Sequence, residues 1–151
     1  MAESEKRLQF LLSLMEMKGI TKVELARRLG VTPQNVFTYF QRDDMKLSLA
    51  QKIVGLIGYD LQISLEKDSP KSVIVEIENL VGKDGLARLA FLRIAMSQYG
   101  ITRKDMAQKL DLNYTGVNRW FYVDDMALSY VYEIAETYGL RVRIKVVPSK
   151  Q

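Results

Sequence analysis

The sequence contains no cysteine and no histidine. Without cysteine, the chain has no disulfide framework, no thiolate metal site and no thiol nucleophile. Without histidine, it lacks the side chain that most often serves as a general base or as a metal ligand. These absences remove thiol and imidazole chemistry, and from the sequence as a whole we expect a protein that is not an enzyme and that holds neither a cofactor nor a metal ion.

The sequence also lacks a long apolar run, and it opens with the charged residues MAESEKR. Neither a membrane span nor a signal peptide is predicted from such a pattern, so we expect a cytoplasmic protein with no membrane partner. The formal net charge is +4, from 22 basic and 18 acidic side chains. A mildly basic balance permits a nucleic-acid partner without requiring one.

The stretch ITKVELARRLGVTPQNVFTYF, Ile20 to Phe40, predicts two short helices joined by a tight turn. Thr21 is suited to N-cap the first helix, and Glu24 three residues later completes a capping box. Gly30 tolerates the positive φ of a sharp turn, and Thr32 is suited to cap the second helix. Helix, tight turn and helix, with apolar residues facing inward, is the layout of a helix-turn-helix.

The same pattern returns 81 residues later as ITRKDMAQKLDLNYTGVNRWF, Ile101 to Phe121. Residues Arg7–Ser69 align without gaps with Arg88–Lys150, and roughly a third of the aligned positions are identical. Most of the identical positions are apolar, capping or turn residues, which two copies of one fold must share. The chain is therefore an internal duplication.

We place the first domain at residues 1–69, a linker at 70–85 and the second domain at 86–151. The sequence of each domain predicts four helices followed by a strand. The first helices are expected at Glu5–Met17, capped by Ser4, and at Leu86–Gln98. A loop is expected at Gln41–Lys46, before a fourth helix that Ser48 caps.

The period of the apolar residues changes from about 3.6 to 2 after Gly58, in Leu61–Glu66, and again in Arg141–Val147. Alternation of this kind predicts strands with one buried face. A strand alone leaves its backbone groups unpaired, so we predict that the two strands share one small antiparallel sheet, with Val73–Glu78 as a further strand or a short helix. The predicted fold is mainly α, with the two copies related by a pseudo-two-fold axis.

Each copy resembles the Cro/repressor (XRE-type) helix-turn-helix family, in which LT-x-x-ELA-x-x-LGVS leads into the recognition helix. ITKVELARRLGVT, Ile20 to Thr32, is a close match, and ITRKDMAQKLDLN, Ile101 to Asn113, is a looser one. The closing basic strand is similar to that of members, antitoxin-type repressors included, that dimerise through such a strand. The resemblances span about 125 residues and imply two tandem lambda-repressor-like domains.

The resemblance implies a double-stranded DNA partner, with two recognition helices in successive major grooves roughly 34 Å apart. The cations expected at phosphate are Lys22 and Arg103, with Arg28 and Lys109 as further candidates; a solvated helix face is the alternative for these charges. The residues expected to contact bases differ between the copies, so the operator would not be a perfect palindrome. They are Thr32, Gln34, Asn35 and Thr38 in the first copy, and Asn113, Tyr114, Thr115, Asn118 and Arg119 in the second.

The sequence departs from the family where Asp43-Asp44 and Asp124-Asp125 follow the recognition helices, since carboxylates would repel phosphate. Either these loops turn away from DNA or one copy does not contact it. The acidic pairs could also bind a divalent metal, as in a nuclease, but capping and turn formation is the interpretation we favour.

We expect a sequence-specific DNA-binding regulator, such as a repressor or a phage-type regulator. The alternative is a protein-interaction scaffold or an antitoxin-like module with one or both recognition faces degenerate. A homodimer or a second protein is a further possible partner.

Overall fold

A computed structural model of the chain describes residues 6–67 and 87–149. These residues are mainly helical and carry a small two-stranded antiparallel sheet. The elements in chain order are α1 (Gln9–Lys18), α2 (Lys22–Leu29), α3 (Pro33–Arg42), α4 (Leu47–Ile57), β1 (Tyr59–Lys67), α5 (Ala90–Tyr99), α6 (Arg103–Lys109), α7 (Tyr114–Val123), α8 (Leu128–Tyr138) and β2 (Leu140–Pro148).

The order of elements repeats the order in the sequence, with four helices and one strand in each half. Every element of the second half begins 81 positions after its counterpart, as with Ala90 after Gln9 and Leu140 after Tyr59. In both halves the second helix packs against the third. The internal repeat found in the sequence is therefore a repeat of secondary structure as well.

Side-chain caps and left-handed residues set the ends of α2 and α3 as predicted. The Thr21 hydroxyl accepts from the Glu24 amide at 3.1 Å, and the Thr32 hydroxyl accepts from the Asn35 amide at 3.2 Å. Gly30 ends α2 with φ +73°. The predicted capping box is only half formed, because the Glu24 carboxylate bonds to arginine side chains of its own helix.

The predicted shared sheet is confirmed, and both strands are longer than the alternating pattern indicated. β1 and β2 pair antiparallel, with Ile63 opposite Ile144, its counterpart in the second half. Leu61, Ile63 and Leu65 of β1 are buried, whereas the residues opposite them on β2 are partly exposed. The possible strand at Val73–Glu78 lies outside the described residues.

A second contact between equivalent residues joins the two halves outside the sheet. Lys46 forms an antiparallel bridge with Ala127, its counterpart 81 positions later. The Leu47 amide donates to the Met126 carbonyl at 2.9 Å, and the corresponding bond from the second half has the same length. Reciprocal contacts of this kind are what a two-fold relation produces, so the predicted pseudo-two-fold axis passes through this bridge and the centre of the sheet.

Several predicted helix boundaries were wrong by a few residues. α3 continues to Arg42, so the following loop begins at Asp43 rather than Gln41, because Asp43 supplies the left-handed residue that ends the helix. α4 begins at Leu47, and Ser48 lies inside it instead of capping it.

The first helix of each half also begins later than periodicity indicated. α1 begins at Gln9 and α5 at Ala90, because Leu8 and Leu89 adopt turn conformations before them. The proposed cap at Ser4 lies outside the described residues.

The core is apolar and draws on both halves. Leu8, Leu25, Leu47, Leu89 and Leu128 are fully buried, and no polar or charged residue in the described ranges is buried. Within these ranges no helix combines the length and the apolarity needed to cross a membrane.

Candidate nucleic-acid interface

The cations expected at phosphate lie at the first residue of α2 and of α6, each against a phenylalanine of the following helix. Lys22 Nζ is 5.3 Å from the centroid of the Phe40 ring, and the Arg103 guanidinium carbon is 4.1 Å from that of Phe121. A cation over a ring face is attracted by the ring quadrupole. Within residues 6–67 and 87–149, neither cation has a carboxylate at ion-pair distance. The same arrangement therefore occurs in both halves.

Arg103 has a hydrogen-bond partner that Lys22 lacks. Its Nη1 donates to Asn118 Oδ1 at 3.2 Å. The Phe121 ring is also covered by Arg93, whose guanidinium carbon is 4.8 Å from the centroid. The counterpart of Asn118 in the first half is Phe37, a side chain that cannot accept a hydrogen bond.

The candidate base-contact residues of the first copy lie at the N-cap and in the first half of α3, up to Thr38, and are mostly exposed. Gln34 and Asn35 are exposed and Thr38 is half-buried. The Thr38 hydroxyl donates to the Gln34 carbonyl at 2.9 Å, and the Thr32 hydroxyl caps the helix. Both threonines are therefore used within α3, whereas the two amide side chains face solvent.

The corresponding residues of α7 are more varied. Asn113 holds the N-cap position without a side-chain hydrogen bond to the helix. Tyr114 is 52 % exposed, and Thr115 and Arg119 are exposed as well. Because residues four apart share a helix face, Asn118 and Arg119 lie on the same side as Tyr114 and Thr115.

The two further candidate cations, one in each half, are engaged by neighbouring acids. Arg28 Nε lies 3.2 Å from Glu24 Oε1, and Arg27 bonds to the same carboxylate. Hydrogen bonds from Arg27 and then Arg28 lower the pKa of Glu24 to about 2. Lys109 Nζ lies 3.4 Å from Asp105 Oδ2. Of the four predicted phosphate contacts, Arg28 and Lys109 are thus paired on their own helices.

Asp105 has a second partner that the sequence did not indicate. The Tyr138 hydroxyl donates to Asp105 Oδ2 at 2.6 Å and links α8 to α6. This hydrogen bond is the main cause that lowers the pKa of Asp105, with Lys109 contributing. Burial and the bond to Asp105 raise the pKa of Tyr138 above its ordinary value.

The first aspartate of each acidic pair binds the backbone ahead of the first helix. The Asp43 carboxylate accepts from the amides of Arg7 and Leu8 at 2.8 and 2.9 Å. Asp124 makes the equivalent bonds at 2.6 and 2.9 Å in the second half. Arg7 also donates from Nε to the Asp43 carbonyl. The sequence did contain a signal for this contact, because the aspartate and the two residues that it binds are identical in the two copies.

The second aspartate of each pair reaches into the other half. Asp44 accepts from the Ser129 amide at 2.9 Å, and Asp125 accepts from the amide and the hydroxyl of Ser48. All four carboxylates therefore bind protein groups. The described residues contain no acidic cluster suited to a metal ion.

Comparisons of the chain with protein-family models, with curated proteins and with solved structures gave no match.

Proposed function

We propose that the chain binds double-stranded DNA sequence-specifically and acts as a transcriptional regulator of the repressor type. In this proposal α2–α3 and α6–α7 are lambda-repressor-like helix-turn-helix units, and α3 and α7 enter successive major grooves. The observation that carries the proposal is the repeated cation, Lys22 or Arg103, held over a phenylalanine without a carboxylate partner in the described ranges.

A cation in this setting is suited to phosphate. The ring restricts the side chain without neutralising its charge, so less freedom is lost when a phosphate binds. Lysine serves phosphate as a point charge, whereas arginine can bond to two phosphate oxygens. Lys22 and Arg103 therefore suit the contacts that orient a protein on the duplex.

The exposed amides of α3 and the polar side chains of α7 suit contacts with base edges. Gln34 and Asn35 can pair bidentately with adenine, and Arg119 can do so with guanine. Since the two sets differ, the two half-sites of the operator are expected to differ as well. A pseudo-two-fold relation between the halves predicts inverted half-sites, and recognition helices in successive major grooves would read half-sites about ten base pairs apart, centre to centre.

A salt titration with a duplex of mixed sequence tests the proposal, because the phosphate term drives binding to any duplex and does not require the operator. We expect affinity to fall steeply with salt. Lys22→Ala and Arg103→Ala should each reduce the slope of log affinity against log salt by about 1.

The matched control is Lys52→Ala, which removes an exposed charge from α4, outside both proposed units. This variant should leave the slope close to that of the wild type. Absence of binding to any duplex at low salt would refute the proposal, as would equal slopes for all three variants.

Exposed apolar side chains within the proposed units support the alternative, a scaffold or antitoxin-like module with a protein partner. Val23 and Phe37 are 57 % and 42 % exposed, and Tyr122 and Val123 are 88 % and 44 % exposed. Aromatic side chains are enriched at the centres of protein interfaces. A chain that fails to bind DNA but loses association with a protein on Tyr122→Ala would have this second function.

A further inference from the structure

The second half couples a candidate phosphate contact directly to a candidate base contact. Arg103 donates from Nη1 to Oδ1 of Asn118 at 3.2 Å, and both side chains are half-buried. A guanidinium has donors and no acceptor, so the atom of Asn118 that faces it is the carbonyl oxygen. The bond therefore fixes the direction in which the Asn118 amide points.

Packing holds Arg103 in the position from which it makes this bond. Its guanidinium carbon lies 4.1 Å from the centroid of Phe121, which is only 6 % exposed. The guanidinium carbon of Arg93 lies 4.8 Å from the same ring centroid. Since Phe121 belongs to α7, Arg103 is held against the helix whose amide it orients.

We propose that Arg103 is a positioning residue that directs Asn118 to guanine, an inference that rests on the proposed DNA-binding function. An amide that pairs with adenine accepts from N6 through its carbonyl oxygen and donates to N7 through its nitrogen. In Asn118 one of the two lone pairs of the carbonyl already accepts from the cationic Arg103, which makes this oxygen a poorer acceptor for a second donor and leaves the amide nitrogen to donate. Guanine presents two acceptors, N7 and O6, in the major groove.

The charge of Arg103 favours the same base. A guanidinium beside the base edge attracts the O6 of guanine and disfavours the amino group that adenine presents at the same place. The preference therefore has two physical sources, the occupied carbonyl and the adjacent cation. Both depend on the side chain of Arg103 rather than on Asn118 alone.

The first half provides an internal contrast. Phe37 stands at the position of Asn118, and the amides of Gln34 and Asn35 have no side-chain hydrogen bond within the described ranges. These amides keep both their donor and their acceptor for adenine. The two half-sites should therefore differ in kind, with an amide contact to adenine under α3 and to guanine under α7.

Selection of bound duplexes from a random pool tests the inference. The wild type, Asn118→Ala, Arg103→Met and Lys104→Met are compared at about 50 mM salt, where the loss of one phosphate contact is tolerated. Asn118→Ala identifies the base position that Asn118 contacts, because that position alone loses its preference. The wild type should prefer guanine to adenine there by about tenfold or more.

Arg103→Met keeps an unbranched side chain against Phe121 but removes the donor and the charge, so the freed amide should change the preference at that position to adenine. Lys104→Met removes a neighbouring exposed cation and leaves the Arg103–Asn118 bond, so guanine should persist. Circular dichroism checks that all variants are folded.

The outcomes separate this inference from the proposed function. If the wild type recovers no duplex, the DNA-binding proposal fails and this inference fails with it. If the wild type selects a site, the inference alone is overturned by any of three results. In the first, no base position changes its preference in Asn118→Ala. In the second, Arg103→Met still selects guanine at the position that Asn118 contacts. In the third, Arg103→Met loses all binding while Lys104→Met keeps it.

Discussion

Asp125, from the second half of the chain, caps α4 of the first half through Ser48. One oxygen of its carboxylate accepts from the Ser48 amide at 3.0 Å, and the other accepts from the Ser48 hydroxyl at 2.6 Å. A carboxylate at the first turn of a helix satisfies free amides and interacts favourably with the helix dipole. Because Asp44 caps α8 in return, each half completes a helix of the other.

This exchange of caps predicts that Asp125→Ala destabilises the whole chain. The change removes both bonds to Ser48 and should lower the free energy of unfolding by about 2 kcal/mol, the upper range for a lost cap. Asp44→Ala removes the single bond to the Ser129 amide and should cost about 1 kcal/mol. Urea unfolding followed by circular dichroism measures both values.

Glu133→Ala, an exposed acid of α8, is the control for loss of a negative charge and should change stability by less than about 0.5 kcal/mol. Equal costs for Asp44→Ala, Asp125→Ala and Glu133→Ala would contradict the capping role.

The same exchange predicts that the two halves unfold in a single transition. Trp120 is the sole tryptophan. It lies in the second half, where its ring centroid is 4.9 Å from that of Tyr130. Its fluorescence reports the second half, whereas circular dichroism reports the helices of both. Coincident denaturant midpoints from the two probes are expected for a two-state chain. Separate midpoints would show that each half folds independently.

A third prediction uses the central strand pair, where equivalent residues have unequal burial. Ile63 is 1 % exposed, whereas Ile144, directly opposite, is only half-buried. Ile63→Ala should cost about 3 kcal/mol, as for a buried aliphatic side chain, and Ile144→Ala about half as much. Urea unfolding of both variants provides the comparison. Equal costs would show that Ile144 is as well covered in solution as Ile63.

The sequence alone predicted the features that are determined locally. Thr21 and Thr32 cap their helices through bonds to residues three positions away, and the alternating pattern around Ile63 located a strand. Such signals depend on neighbours in the chain, so a single sequence contains them. The four helices of each half were predictable for the same reason.

The features that were missed depend on residues far apart in the chain. The start of α4 depends on Asp125, which lies 77 residues from Ser48. Because the local sequence contains no sign of Asp125, it suggested Ser48 itself as the N-cap of α4. The bond between Tyr138 and Asp105 spans 33 residues and has no local signal. Internal identity offered partial help, because Asp43, Asp44 and Ser48 are all repeated in the second copy.

Tyr138 and Asp105 give a fourth prediction, on the pH dependence of stability. The pKa of Asp105 is lowered from 3.8, so its contribution is present above about pH 3.8 and is lost as the pH falls through the folded value. The pKa of Tyr138 is raised from 10.0, so its contribution is present below pH 10 and is lost as the pH rises through the folded value. The stability difference between wild type and Tyr138→Phe should therefore be largest between these limits.

Urea unfolding at a series of pH values measures this difference. Tyr122→Phe, whose side chain is 88 % exposed, is the matched control and should show no such dependence. A difference for Tyr138→Phe that stays constant from acid to alkaline pH would exclude coupling to Asp105.

The ion pairs on α2 and α6 predict an order among the four cations proposed for phosphate. Arg28 and Lys109 each lie within 4 Å of a carboxylate of the same helix, Glu24 or Asp105. Among residues 6–67 and 87–149, no carboxylate lies that close to Lys22 or Arg103. A paired cation that binds phosphate must leave its carboxylate or bring that negative charge near the DNA. Arg28→Ala and Lys109→Ala should therefore reduce the salt slope of binding clearly less than the change of about 1 expected for Lys22→Ala and Arg103→Ala.

Removal of the paired carboxylates provides the control, because it should have the opposite effect on DNA binding. Glu24→Gln releases Arg28 while preserving the size of the side chain, and Asp105→Asn does the same for Lys109. Each change should strengthen binding at low salt and make its salt dependence steeper, because a released cation can join the phosphate contacts. If neither variant binds more tightly than the wild type, Arg28 and Lys109 are part of a solvated helix face and lie outside the DNA interface.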